Sequence, residues 1–156
     1  MKAQLARKPQ RRSSPVSALA KSKLYSHSSA PSGLAETIAS IRKGLPLSAF
    51  DELAALLGLT QEAFAKSIGI SVPTISRRRL AGQNLDPEHS DRLLRFRRIY
   101  DLAVALFEGD AQSAKAWLNA PAPALGRATP LAMADTETGA EAVKALIGRL
   151  EFGELT

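Results

Sequence analysis

A chain of 156 residues with a formal charge of +6 and no cysteine has room for one ordinary domain or two small helical ones sharing a core, and it cannot build a disulfide framework, a thiolate zinc site or a cysteine nucleophile. No apolar run approaches the roughly 20 residues needed to cross a bilayer, and the start lacks the apolar stretch of a secretory signal, so a soluble cytoplasmic protein with no membrane partner is expected. The charge is uneven: residues 1–33 carry seven Lys or Arg and no acid, while the other 123 residues carry 14 basic and 15 acidic side chains, so nucleic-acid binding has to rest on local clustering.

Residues 1–33, rich in Ser, Ala, Pro, Lys and Arg, hold too little apolar surface to offset the entropy of ordering and read as a disordered basic arm. Such an arm attracts phosphates without regard to sequence, or serves as a plain solvated tail; its composition also suits a transit peptide. From Leu34 the period becomes helical and nothing alternates at period two over strand length, which points to an all-α fold. Leu34, Ile38 and Ile41 share one face of a first helix that ends at Gly44. Ser48, with Asp51 three residues on, reads as the cap of a second helix ending at Gly58.

Thr60 caps "QEAFAKSIG", Ser71 caps the next helix with Pro73 in its first turn, and "AGQN" breaks that helix. Asp86 and Pro87 open a long helix whose Leu93, Leu94, Phe96, Ile99, Tyr100, Ala103, Leu106 and Phe107 make it the central packing element. Asp110 starts a shorter helix, the prolines and glycine of "APAPALGRATP" forbid a regular one, and Thr129 with Pro130 opens another. A last helix runs from about Thr138 to Phe152 with Val143, Leu146, Ile147 and Leu150 inward.

Residues 61–80 have the pattern of a helix-turn-helix. Ala65 is small where two helices cross, Gly69 sits where the turn needs positive φ, and Phe64, Ile68, Ile70 and Ile75 supply buried contacts. The second helix then presents Ser71, Val72, Pro73, Thr74, Ser76 and Arg77 from the half that enters a major groove. Arg77 is the candidate base reader, since a guanidinium bonds guanine through two donors; Ser71, Thr74 and Ser76 suit phosphates or weak readout, and Val72 suits a thymine methyl. Arg79 suits a phosphate or the helix's own C-terminal dipole, whereas Arg78 falls where such motifs bury an apolar residue, so it must snorkel out or pair with an acid. Arg92, Arg95 and Arg98 stand at helical spacing on the long helix and read as a solvated stripe paired with Asp91 and Asp101.

Enzyme chemistry finds no foothold. His27 and His89 have no carboxylate at ligand spacing, His89 in the first turn of its helix reads as exposed, and no nucleophile elbow, Walker loop or dinucleotide fingerprint is present. Neither metal nor cofactor is expected.

Beyond the helix-turn-helix, "SDRLLRFRRIYDLAVALFEGD" and "AKAWLNAPAPALGRATPLAMADTETGAEAVKALIGRLEFG" resemble the Xre/MbcA/ParS-type antitoxins of RES-domain toxins, over roughly residues 45–153. Ala122 departs from that pattern, standing where the family usually carries Asn. The resemblance implies a helix-turn-helix (Xre-like) domain over 34–105 and a small helical toxin-binding domain over 106–156. It further implies an antitoxin that blocks the active site of a toxin consuming NAD, by degrading it or by transferring ADP-ribose, and a homodimer that represses its own operon by binding operator DNA. Mapped onto this sequence, the toxin contacts are Trp117, Leu118, Pro123, Leu125, Gly126, Arg127, Thr129, Pro130, Leu131, Gly148, Arg149, Glu151 and Phe152. Trp117 reads as an interface anchor or a core residue, and Gly148 as room for a partner or for a neighbouring helix. A regulator without a toxin, and an interaction module that binds no DNA, stand as alternatives; an expected catalytic role does not.

Overall fold

A computed structural model describes residues 31–153. Most of the basic arm expected over 1–33, with His27, lies outside the described residues; residues 31–33 form instead the first turn of a helix. Among the described residues there are eight α-helices and no strand: α1 (Pro31–Lys43), α2 (Leu47–Leu57), α3 (Gln61–Ile68), α4 (Val72–Leu80), α5 (Pro87–Leu106), α6 (Ala111–Leu118), α7 (Pro130–Met133) and α8 (Glu137–Glu151). A 3₁₀ turn over Pro123–Leu125 replaces regular helix in the proline-rich stretch.

Local chemistry sets most boundaries. Side chains of Thr60, Ser71, Asp86, Asp110, Thr129 and Thr136 accept from backbone amides in the first turns of α3, α4, α5, α6, α7 and α8, meeting donors that have no partner within the helix. The second helix departs from expectation: it starts at Leu47 with Pro46 at the cap position, two residues earlier, and Ser48 caps nothing. Leu47 is buried in the core and Pro46 enters in an extended conformation without a side-chain cap, so burial of a leucine overrides the capping preference. The face of α1 also differs, for Leu34 and Ile38 are exposed and only Ile41 packs against the core.

One apolar cluster extends from Leu45 to Ile147 and joins every long helix after α1. Phe64 sits at its centre, stacked on Phe50 at 5.0 Å and edge-on to Phe96 at 5.4 Å. α5 is the spine, packing against α1, α2, α3, α6 and α8. The loop before α2 is stitched to the loop before α5: Leu85 N donates to Leu45 O (2.9 Å), Asn84 Nδ2 to Gly44 O (3.0 Å), and Leu45 N to the fully buried Ser90 Oγ (2.9 Å). Gly44 is required at that seam, because its φ is +87° and a Cβ would lie 2.0 Å from the Leu85 carbonyl oxygen.

Candidate nucleic-acid and partner interfaces

The turn between α3 and α4 has the geometry the spacing calls for. Gly69 adopts φ +76°, its amide donates to Lys66 O at 3.1 Å, and Ile70 N donates to Ala65 O at 3.0 Å while the Ile70 side chain is buried. This closes α3 in a left-handed glycine cap and sends the chain into α4. Ile75 is the one buried side chain of α4; Ser71, Val72, Pro73, Ser76, Arg77 and Arg79 are exposed and Thr74 is half-buried.

The three consecutive arginines behave differently. Arg77 stays on its own helix, donating to Thr74 Oγ1 at 3.3 Å. Arg78, at the position expected to be apolar, pairs with Asp86 at 3.2 Å and donates to Asn84 O at 2.9 Å; its Nε is enclosed with no acceptor among the described residues. Arg79 grips Asp51 of α2 through both terminal nitrogens, at 2.7 and 2.9 Å, and Gln61 at the start of α3 donates to the same carboxylate. Arg78 and Arg79 thus steer α4 onto the rest of the fold.

α5 holds the turn from behind. Arg92 donates to Ile68 O at 3.1 Å and pairs with Glu88. His89 is not exposed as expected: its side chain is 16% accessible, with Nδ1 at 2.6 Å from Asp86 Oδ1 and Nε2 at 3.2 Å from Gly69 O. The last carbonyls of α3 are therefore received by two side chains of α5, the arrangement that satisfies a helix C-terminus. Burial would raise the Asp86 pKa, but the His89 amide and imidazole and the Arg78 guanidinium outweigh it and hold the carboxyl below its usual value.

The expected stripe of Arg92, Arg95 and Arg98 is not one solvated row. Arg95 leaves Asp91 aside and bonds across to the start of α8, through Nε to Glu137 Oε2 at 2.8 Å, and to the loop before it, through Nη1 to Asp135 O at 3.2 Å, with its side chain 13% accessible. Arg97, outside the stripe, pairs with Asp101 at 2.8 Å. For Arg95 a partner distant in sequence decides the contact, while Arg97 pairs within its own helix.

In the C-terminal half, Leu118, Pro130 and Leu131 are buried, Trp117 is half-buried against Phe107, and Leu125 and Thr129 are half-buried. Pro123, Gly126, Arg127, Arg149, Glu151 and Phe152 are exposed, with Phe152 82% accessible. The loop that bears Arg127 is closed on itself: Ala122 N donates to Ala128 O and Arg127 N to Ala122 O, each at 3.0 Å. Closing it requires φ +68° at Arg127, next to Gly126 at +64°, a left-handed conformation that strains a side-chain-bearing residue by about 1 kcal/mol or more. Its 3₁₀ turn packs on α8. Two glycines of α8 differ: a Cβ on Gly139 would lie 1.8 Å from Met133 O, so α7 and α8 need glycine there, whereas a Cβ on Gly148 would meet nothing within 4 Å. Packing within the chain does not explain Gly148. Among the described residues no cluster of His, Asp and Glu could hold a metal ion, and no helix is long and apolar enough to cross a membrane.

Comparison with known proteins adds the family context. Residues 36–98 match the antitoxin Xre-like helix-turn-helix domain, and residues 102–153 match the antitoxin Xre/MbcA/ParS C-terminal toxin-binding domain. The chain is 37% identical over 114 residues to the antitoxin Xre of Yersinia enterocolitica, covering 73% of this chain and 77% of that one. It is 36% identical over 113 residues to the antitoxin Xre of Photorhabdus laumondii, covering 72% and 76%. A Sphingobium protein named Prs ADP-ribosylating antitoxin is 26% identical over 126 residues, covering 76% and 79%.

Proposed function

This chain belongs to the Xre/MbcA/ParS antitoxin family and is not an enzyme, and from that premise we propose that it neutralises a RES-domain toxin that consumes NAD. The C-terminal face occupies the toxin's active site, through exposed Pro123, Gly126, Arg127, Arg149, Glu151 and Phe152 and the half-buried Trp117, Leu125, Thr129 and Gly148. Leu118, Pro130 and Leu131 support that face from beneath. The observation that carries this reading is the strained, self-closed loop presenting Arg127 to solvent within the matched toxin-binding domain: backbone strain maintained on an exposed side chain is a mark of a contact site. The name of the Sphingobium relative supports a toxin that uses NAD as an ADP-ribose donor.

The same chain acts as a homodimer in the bacterial cytoplasm and represses its own operon, each α4 entering a major groove and the two-fold matching two half-sites. Arg77 reads a base, Val72 meets a thymine methyl, and Ser71, Pro73, Thr74, Ser76 and Arg79 line the backbone. Arg79 has to share its guanidinium between Asp51 and a phosphate to do so. Residues 34–105 serve the DNA and 106–156 the toxin, with the basic arm adding attraction for phosphates.

Two experiments test these readings. Co-expression with the product of the adjacent gene should rescue growth and cellular NAD, and the two proteins should copurify; failure to copurify defeats the toxin reading. Upstream DNA of the gene should be retarded in a gel at low salt, and no retardation with or without the toxin defeats the repressor reading.

A further inference from the structure

Along α4 runs a polar row that the packing of the helix does not use. Ser71, Thr74 and Arg77 recur at three-residue spacing and share one side of the helix. Their side chains form a chain of contacts: Ser71 Oγ lies 2.7 Å from Thr74 Oγ1, and an Nη of Arg77 donates to Thr74 Oγ1 at 3.3 Å. Ser71 is itself fixed, because its hydroxyl oxygen accepts the Thr74 amide at 3.2 Å as the helix cap. Arg78 and Arg79 turn away to Asp86 and Asp51. Of the three, only Arg77 pairs with no acid among the described residues.

We infer that Thr74 is a positioning residue for Arg77, so that preference for guanine is set by the pair and not by the arginine alone; this rests on the operator-binding reading above. An exposed arginine samples many rotamers and must be immobilised on binding. Thr74 removes part of that freedom beforehand. It takes one of five N–H donors, leaving a two-pronged edge for guanine O6 and N7. A threonine suits the task, since branching at Cβ restricts its own χ1 while the hydroxyl stays close to the helix. Whichever hydroxyl donates in the Ser71–Thr74 pair, the proton of the other is left over for a phosphate to accept. The row thus offers a base reader and a phosphate donor at a fixed separation.

The test compares the full chain with Thr74→Val, which keeps volume and branching and removes only the hydroxyl, and with Thr74→Ser, which keeps the hydroxyl. Relaxation of the Arg77 Nε–H group by ¹⁵N NMR on the free protein reports its order, and selection from randomised duplexes reports base preference. Thr74→Val should make Arg77 mobile and reduce guanine preference over the other bases at the contacted position about three- to tenfold. Thr74→Ser should restore both. Guanine preference left intact by Thr74→Val overturns the inference while sparing operator binding. A wild-type chain that retards no duplex at low salt overturns both.

Discussion

α4 buries only Ile75, whereas α8 buries Gly139, Ala140, Val143, Leu146 and Ile147. α4 is therefore placed largely by polar contacts: the Ser71 cap, Arg78 on Asp86, Arg79 on Asp51, and His89 and Arg92 behind the turn. The C-terminal face is placed by apolar packing around a glycine that admits Met133. Charge-based contacts weaken with salt and acid, while apolar burial does not. The two ends of one molecule should accordingly answer differently to solution conditions.

Removing packing at the C-terminal end gives the largest expected effect. Ile147→Ala should lower the unfolding free energy by about 3 kcal/mol, by the same amount at low and high salt, measured by urea denaturation; a loss below about 1 kcal/mol would undo the contrast drawn here. Next comes Asp86→Ala, which takes away a helix cap and the partner of half-buried Arg78, and should cost about 2 kcal/mol. Its effect should shrink as salt is added, and an effect independent of salt argues that α4 is held by packing after all.

Because the Asp86 pKa is lower in the folded chain than in the unfolded one, its stabilisation is complete above the ordinary carboxylate range and fades as pH falls through about 4 toward the folded value. Acid melts of the wild type should therefore lose stability faster below about pH 4 than those of Asp86→Ala; parallel curves would contradict the assignment. The smallest effect is expected from Asp51→Asn. Arg79 is nearly half-accessible, so the exposed pair should add little to stability, but freeing Arg79 should tighten binding to non-specific duplex. Weaker duplex binding would show that Asp51 aids the reader by holding α4.

Much of the fold was legible because it is written locally. Thr60, Ser71, Asp86, Asp110 and Thr129 announce helix starts within four residues of themselves, and Gly69 announces the turn. Ser48 misleads because the deciding term, burial of Leu47, is tertiary. The same holds for His89 and Arg95, whose acceptors Gly69 O and Glu137 lie 20 and 42 residues away. Arg78 was readable as an anomaly, though Asn84 O and Asp86 could not be named as its answer. In the C-terminal half the family motif marks Leu118 and Arg127 alike, yet one is core and the other surface; a motif records that a residue matters without separating support from contact. The strain at Arg127 left no local sign beyond the preceding Gly126.

The single apolar cluster that runs through α5 has a thermodynamic consequence. If the chain melts as one unit, any ligand that binds only the folded form shifts the unfolding equilibrium of the whole, by about RT ln(1 + [L]/Kd). A molecule seated on the C-terminal face would then raise the melting temperature of α4, which it never touches, and any ligand held by α4 would return the favour to the far end.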